Sequence, residues 1–156
     1  MAHENPRDPL GVRFFPYYEG RDPCRTPMQW SDAPGGGFTD SEVPWLPLGD
    51  VTAANVGGQR DDRGSVLTLC RDVIGFRRRR PELVAGDYVS LPSPEGVWAF
   101  GRGARHVVVL NMSGAELQLD NLSGTVRICT DRVREHEVVS GALRLPAYCG
   151  SILERA

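Results

Sequence analysis

Apolar and polar residues alternate along residues 86–156 and scarcely at all before them. The runs DYVSL, GVWAFGRG, HVVVLNMS, ELQLD, TVRICT, ALRLPAY and SILERA are short and β-rich, and most are separated by Gly, Pro, Ser or Asn. Strands and turns recurring every roughly 8–12 residues predict an antiparallel sandwich or barrel. Within it, VVVL at 107–110 reads as a central strand buried on both faces. Residues 61–80 carry a different period. There Val66, Leu69, Cys70, Val73 and Phe76 make one apolar stripe at helical spacing. Asp61 or Asp62 is placed to cap the amino end of this helix, and Pro81 to stop the other.

Residues 1–60 follow neither period. They hold eight of the twelve prolines, and turns are expected at Asp32–Gly35 and around Gly57 and Gly58. Long loops in compact domains are usually either functional or disordered. Disordered segments are poor in aromatics, whereas this one carries Trp30, Phe38 and Trp45. An ordered loop is therefore expected, lying against a scaffold that satisfies its backbone polar groups.

The length of 156 residues allows one domain, or a domain with a piece of another. A net charge of −2 implies no bulk attraction to nucleic acid or membrane. Arg77 to Arg80 fall in the last turn of the predicted helix, where the dipole favours positive charge. Cys24, Cys70, Cys129 and Cys149 are far apart and form no CxxC pair, which argues against a zinc cluster. They read as buried or half-buried free thiols in a reducing cytoplasm. His106 and His136 have no third ligand nearby and read as surface or hydrogen-bonded residues. Asn111 and Asn121 each begin a glycosylation triplet, a pattern short enough to recur by chance. No metal, cofactor, nucleic acid or membrane partner is expected.

Loop, single helix and small β domain stand in a telling order. GRDPCRTPMQW at 20–30, GGFT at 36–39, PWLPL at 44–48, and FRRRRPEL at 76–83 followed by GDY carry a resemblance. In these motifs the chain resembles the α-glucosidase, oligo-1,6-glucosidase-like branch of glycoside hydrolase family 13, the α-amylase family. The similarity runs from about residue 8 to residue 153.

The resemblance implies a mainly β fold: a C-terminal antiparallel, Greek-key-like β-sandwich preceded by the last helix and last active-site loop of a (β/α)8 barrel. It assigns 1–60 to the loop after the eighth barrel strand, 61–82 to the last barrel helix and 83–156 to the β domain. It implies that Arg21 lines the pocket for the non-reducing glucose, near an acidic residue from an earlier part of the barrel. Asp22 and Arg25 are expected to hold the loop in shape, with Trp30 and Trp45 as packing anchors. Retaining glycosidases need two carboxyl groups about 5–5.5 Å apart, and the family places these on earlier barrel strands. The chain is thus expected to contain no catalytic residue, to be inactive alone, and to take an α-glucoside only when joined to that barrel. The helix face that would pack on the barrel is expected to drive self-association or to fold back onto the β domain. Two other readings compete. One is a free-standing carbohydrate-binding or structural β module. The other is an independent enzyme using Glu4, Asp8, Glu19 or Asp22.

Overall fold

The alternating half of the chain folds into six strands: β1 (Tyr88–Leu91), β2 (Val97–Arg102), β3 (His106–Asn111), β4 (Leu117–Cys129), β5 (Val138–Leu145) and β6 (Gly150–Glu154). They form one antiparallel sheet in the order β1-β2-β3-β6-β4-β5. The computed structural model describes residues 6–155. The chain divides into two compact units, Met1–Asp62 and Arg63–Ala156, and the whole sheet belongs to the second.

Seven runs become six strands because ELQLD and TVRICT are one strand. The first part of β4 pairs with β5 from Leu117 to Thr125, and its last residues pair with β6 from Thr125 to Cys129. One strand thereby serves both halves of a sheet that folds over a single core, and the result is sandwich-like. Val97 and Ala99 of β2, Val107 and Val109 of β3, and Leu153 of β6 pack in one cluster with Leu119 and Leu122 of β4 and Leu143 and Leu145 of β5. Two register slips in β4 make this possible. The slip at Asn121, which has φ 58°, lets Leu119 and Leu122 face the core although they are three residues apart. The slip between Val126 and Ile128 sends Val126 into the core and Ile128 to the opposite face. In β3, Val107 and Val109 are fully buried while Val108 and Leu110 are half-buried, a weaker double burial than the sequence predicts.

Ile128 is met by the helices. α3 (Val66–Arg78) places Phe76 against Ile128, with Leu69, Val73 and Ile152 around them, and Leu83 of α4 (Pro81–Ala85) completes the cluster. Phe76, Leu69 and Val73 of the predicted stripe thus pack on the sheet of their own unit, while Val66 at its start is exposed. Cys70 does not belong to this stripe and is exposed. The cap also differs from the expectation. Ser65 caps α3, its hydroxyl accepting from the Thr68 N–H at 3.2 Å, whereas Asp61 follows the preceding helix. Pro81 does more than stop α3, since it opens α4 as that helix's first residue. Arg80 lies over the Phe76 ring, 3.4 Å from its centroid, and with Arg105 and Arg127 surrounds Glu154. Burial works to raise the Glu154 carboxyl, and the three guanidinium groups outweigh it, so it titrates below the usual range. His106 is buried, with Nδ1 3.2 Å from Glu82 Oε2 and its ring edge-on to Phe76.

The first unit is less irregular than its prolines suggest. It contains α1 (Pro9–Phe14), single 3-10 turns at Asp22–Cys24 and Pro34–Gly37, and α2 (Val56–Arg60). Gly57 and Gly58 lie inside α2 rather than in a turn, because the Asn55 side chain accepts from the Gly58 N–H at 2.7 Å and caps the helix. The turn expected at Asp32–Gly35 falls one residue later, with the Gly36 N–H donating to Ala33 O at 2.8 Å. Gly36 has φ 64°, and a Cβ there would come within 3.2 Å of Leu48 and 3.3 Å of Val51, so backbone angle and space both demand glycine. All four cysteines are free, but only Cys129 and Cys149 are buried; Cys24 and Cys70 are exposed, against expectation.

Candidate functional site

Pro9 starts α1 and leaves Asp8 in front of it, in extended backbone, with its carboxylate free to turn away from the helix. Pro23 likewise sets the 3-10 turn at Asp22–Cys24 and leaves Arg21 at that turn's head. These two proline-led starts lie side by side. The Arg21 guanidinium grips Asp8 by two bonds, Nε to Oδ2 at 3.0 Å and Nη2 to Oδ1 at 2.7 Å. The segments also clasp each other through their backbones. The Arg21 N–H donates to Asp8 Oδ2 at 3.0 Å, while Asp22 Oδ2 accepts from the N–H groups of Arg7 at 2.6 Å and Asp8 at 3.2 Å.

Asp8 is fully buried and Asp22 nearly so. The guanidinium beside Asp8 holds its carboxyl down to about 2, and the same pairing raises the pKa of Arg21. The Arg21 side chain nevertheless remains 48% exposed. One edge of the fork is spent on Asp8, and Nη1 lies outside that pair. Chemically this is a fixed cationic donor, suited to the oxygen of a sugar or carboxylate. Gly20 makes the approach possible. It has φ 81°, and a Cβ there would meet Gly11 Cα at 2.9 Å and Asp8 at 3.1 Å. Asp22 Oδ1 is buried and has no hydrogen-bond partner among the described residues.

Arg21, Asp22 and Arg25 fall together around the 3-10 turn. Asp22 organises backbone as described, and the Arg25 N–H closes the turn onto Asp22 O at 3.0 Å. The Arg25 side chain is exposed, and its charge contributes to the depressed value of Asp8. Trp30 and Trp45 serve differently from the expectation. Trp30 is 51% and Trp45 57% exposed, so neither is packed away within this unit. Their backbones do the tying. Trp30 N–H donates to Gly36 O at 2.7 Å and Trp30 O accepts from Gly57 N–H at 2.9 Å, while Trp45 O accepts from Arg7 Nη1. The Gln29 side-chain amide Nε2 donates to Asp50 O at 3.2 Å and to Ala54 O. A segment with so few large buried side chains is held by hydrogen bonds to its main chain instead.

Sequence reasoning missed Asp8 as the partner of Arg21, assigning that role to a residue elsewhere. The available signal was the repeated Asp-Pro step, Asp8-Pro9 and Asp22-Pro23, which makes two similar helix starts. Of the carboxylates considered for an independent site, Asp8 is locked to Arg21, Asp22 binds backbone, Glu19 is exposed, and Glu4 lies outside the described residues.

Comparison with known proteins identifies the family of the chain. The family model described as the alpha amylase catalytic domain matches residues 2–86. A probable alpha-glucosidase of Rhizobium meliloti strain 1021 is 42% identical over 88 residues, 56% of this chain and 16% of that protein. Oligo-1,6-glucosidase of Parageobacillus thermoglucosidasius is 37% identical over 88 residues, with the same shares of the two chains. The crystal structure of isomaltulose synthase from Klebsiella sp. LX3 superposes with a TM-score of 0.78 at 26% identity, over 86% of this chain and 26% of that one. The chain therefore belongs to the α-amylase family of glycoside hydrolases, within its α-glucosidase-like group. It spans about a sixth of the length of the curated relatives named here.

Proposed function

We propose that this chain supplies the closing part of an α-glucosidase-type enzyme acting on α-linked gluco-oligosaccharides. In this reading residues 1–60 form the loop after the eighth barrel strand, 61–82 the last barrel helix and 83–156 the carboxyl-terminal domain. Arg21 addresses the non-reducing glucose, with Asp8 holding the guanidinium in place. The observation that carries the reading is a forked ion pair in which the acid is wholly buried and the arginine half open. Structure alone needs no open side, whereas a substrate-facing donor does. The buried, unsatisfied Asp22 Oδ1 adds support, since a further donor would complete it.

By itself the chain does not hydrolyse α-glucosides. Glycosidases of this kind protonate the leaving oxygen with a carboxylic acid that keeps its proton near neutral pH, and Asp8 at about 2 is a carboxylate there, committed to its arginine. The second reading, a free-standing β module, is favoured by the closed core of the unit Arg63–Ala156. Co-expression with the barrel portion of an oligo-1,6-glucosidase separates the two. The first reading expects turnover of a nitrophenyl α-glucoside that Arg21→Ala cuts about a hundred-fold, the scale on which loss of one charged donor acts in an active site. Arg21→Lys should recover only part of it, since a point charge does not reproduce the fork. Complementation insensitive to Arg21→Ala would remove that residue from the pocket.

A further inference from the structure

Glu154, at the end of β6, is met by arginines from three separate elements. Arg105, in the turn between β2 and β3, donates from Nη2 to Glu154 Oε1 at 2.7 Å, and Arg127 of β4 donates from Nε to Oε2 at 2.9 Å. Arg80, between α3 and α4, brings Nη2 within 3.9 Å of the same Oε2. A single guanidinium would neutralise one carboxylate, so this end of the sheet carries more positive charge than its acid requires. Glu82 is a second carboxylate here; its Oε2 accepts from the Arg105 N–H at 3.3 Å and faces His106 Nδ1 at 3.2 Å. Arg102 adds a fourth guanidinium, because it pairs with His106 across the strands as His106 pairs with Glu154, and its Nη2 donates to Val84 O at 3.2 Å. Four arginines against two carboxylates leave two positive charges over.

The cluster is tethered and yet open. The Glu154 side chain is 12% exposed, whereas Arg105 is 58% and Arg127 38% exposed. Arg105 keeps Nε and Nη1, and Arg127 keeps Nη1 and Nη2, outside their bonds to Glu154, and these atoms make no other hydrogen bond among the described residues. We propose that Arg105 and Arg127, held by Glu154, form a site for a phosphate dianion on the second unit, with Arg80 and Arg102 adding charge at longer range. The chemistry of the cluster selects the ligand. Guanidinium groups present planar pairs of donors that fit two oxygens of a phosphate. A dianion also matches the surplus of two charges, whereas a monoanion leaves half of it uncompensated. Free orthophosphate and a phosphate monoester offer the same group. The site uses none of the residues of the proposed function.

The test is a titration of the 156-residue chain with orthophosphate at constant ionic strength, followed through the backbone amide signals of Arg105, Arg127 and Glu154. Saturable shifts are expected with orthophosphate at mildly alkaline pH, where it is a dianion, and not with acetate. Arg105→Gln and Arg127→Gln should each weaken binding roughly five-fold, on the scale of one exposed ion pair. Glu154→Gln should tighten it by roughly the same factor, because the carboxylate that competes for the guanidinium groups is gone. A cluster that serves structure alone gives no such gain, and the two arginine variants decide the matter should the Glu154 variant not fold. Arg144→Gln, on the far edge strand β5, should leave binding unchanged. A parallel titration with glycerol 3-phosphate separates the sources: equal affinity assigns the site to the phosphate of an ester, and loss of binding assigns it to the free ion. Absence of saturation, an equal response to acetate, full affinity in both arginine variants, or weaker binding by a folded Glu154→Gln overturns the proposal.

Discussion

Asp8 and Arg21 form an ion pair whose two sides meet different surroundings, and its pH dependence follows from that. The Asp8 carboxyl falls from an ordinary 3.8 to about 2 in the folded chain, chiefly because the Arg21 side chain donates to its charged form. A depressed carboxyl adds stability above its unfolded value and loses it as pH falls through its folded value. The contribution is therefore complete above roughly pH 4 and fades towards pH 2. Asp8→Asn removes it. Urea unfolding of the first unit, followed by Trp30 and Trp45 fluorescence, should show wild type more stable than Asp8→Asn at pH 6, with the gap closing towards pH 2. A gap constant across that range would mean that the pair contributes shape and no charge. The family motif that carries Arg21 was legible in the sequence, since GRDPCRTPMQW is a specific run. The partner of Arg21 was not, because the two lie thirteen positions apart and no periodicity connects them.

Caps and register decide the elements, and these are the features that a hydrophobic pattern transmits least. The stripe ending at Phe76 predicted α3, and the alternation predicted the strands, because burial imposes both periods directly. The starting point of α3 depends instead on one hydroxyl. Ser65→Ala should destabilise the second unit by about 1 kcal/mol, whereas Asp61→Ala should stay within about 0.5 kcal/mol, as surface changes do. Thermal or urea unfolding of the two variants checks this, and the reverse order would restore the aspartate as the cap. The short helices α1 and α2 escaped the sequence reading because six and five residues carry too little periodicity to show. Merging of two predicted strands into β4 was equally hidden. The slip at Asn121 reads in the sequence as a break between strands, and in three dimensions it is a bulge within one.

Across the molecule, stability and candidate function sit in different units. The second unit has a closed core in which Val107, Val109, Val126, Leu143 and Leu153 are wholly buried. Among the described residues of the first, Leu46 is the buried large apolar side chain, while Phe14, Phe15, Tyr17, Trp30, Phe38 and Trp45 are exposed. Amide exchange should follow this division, since opening energies track buried apolar contact. The amides of β3 and β6 should be the slowest to exchange and those of residues 21–54 among the fastest, and uniform protection across both would contradict it. No helix among the described residues is long and apolar enough to cross a membrane.

The most direct measurement is turnover of a nitrophenyl α-glucoside by the purified 156-residue chain near neutral pH. The account predicts a rate indistinguishable from buffer. A guanidinium such as that of Arg21 can neither protonate a glycosidic oxygen nor attack an anomeric carbon, and its neighbouring acid is held as a paired carboxylate. Clear turnover, abolished by replacing one of the chain's own carboxylates such as Asp8, Glu19 or Asp22, would contradict it.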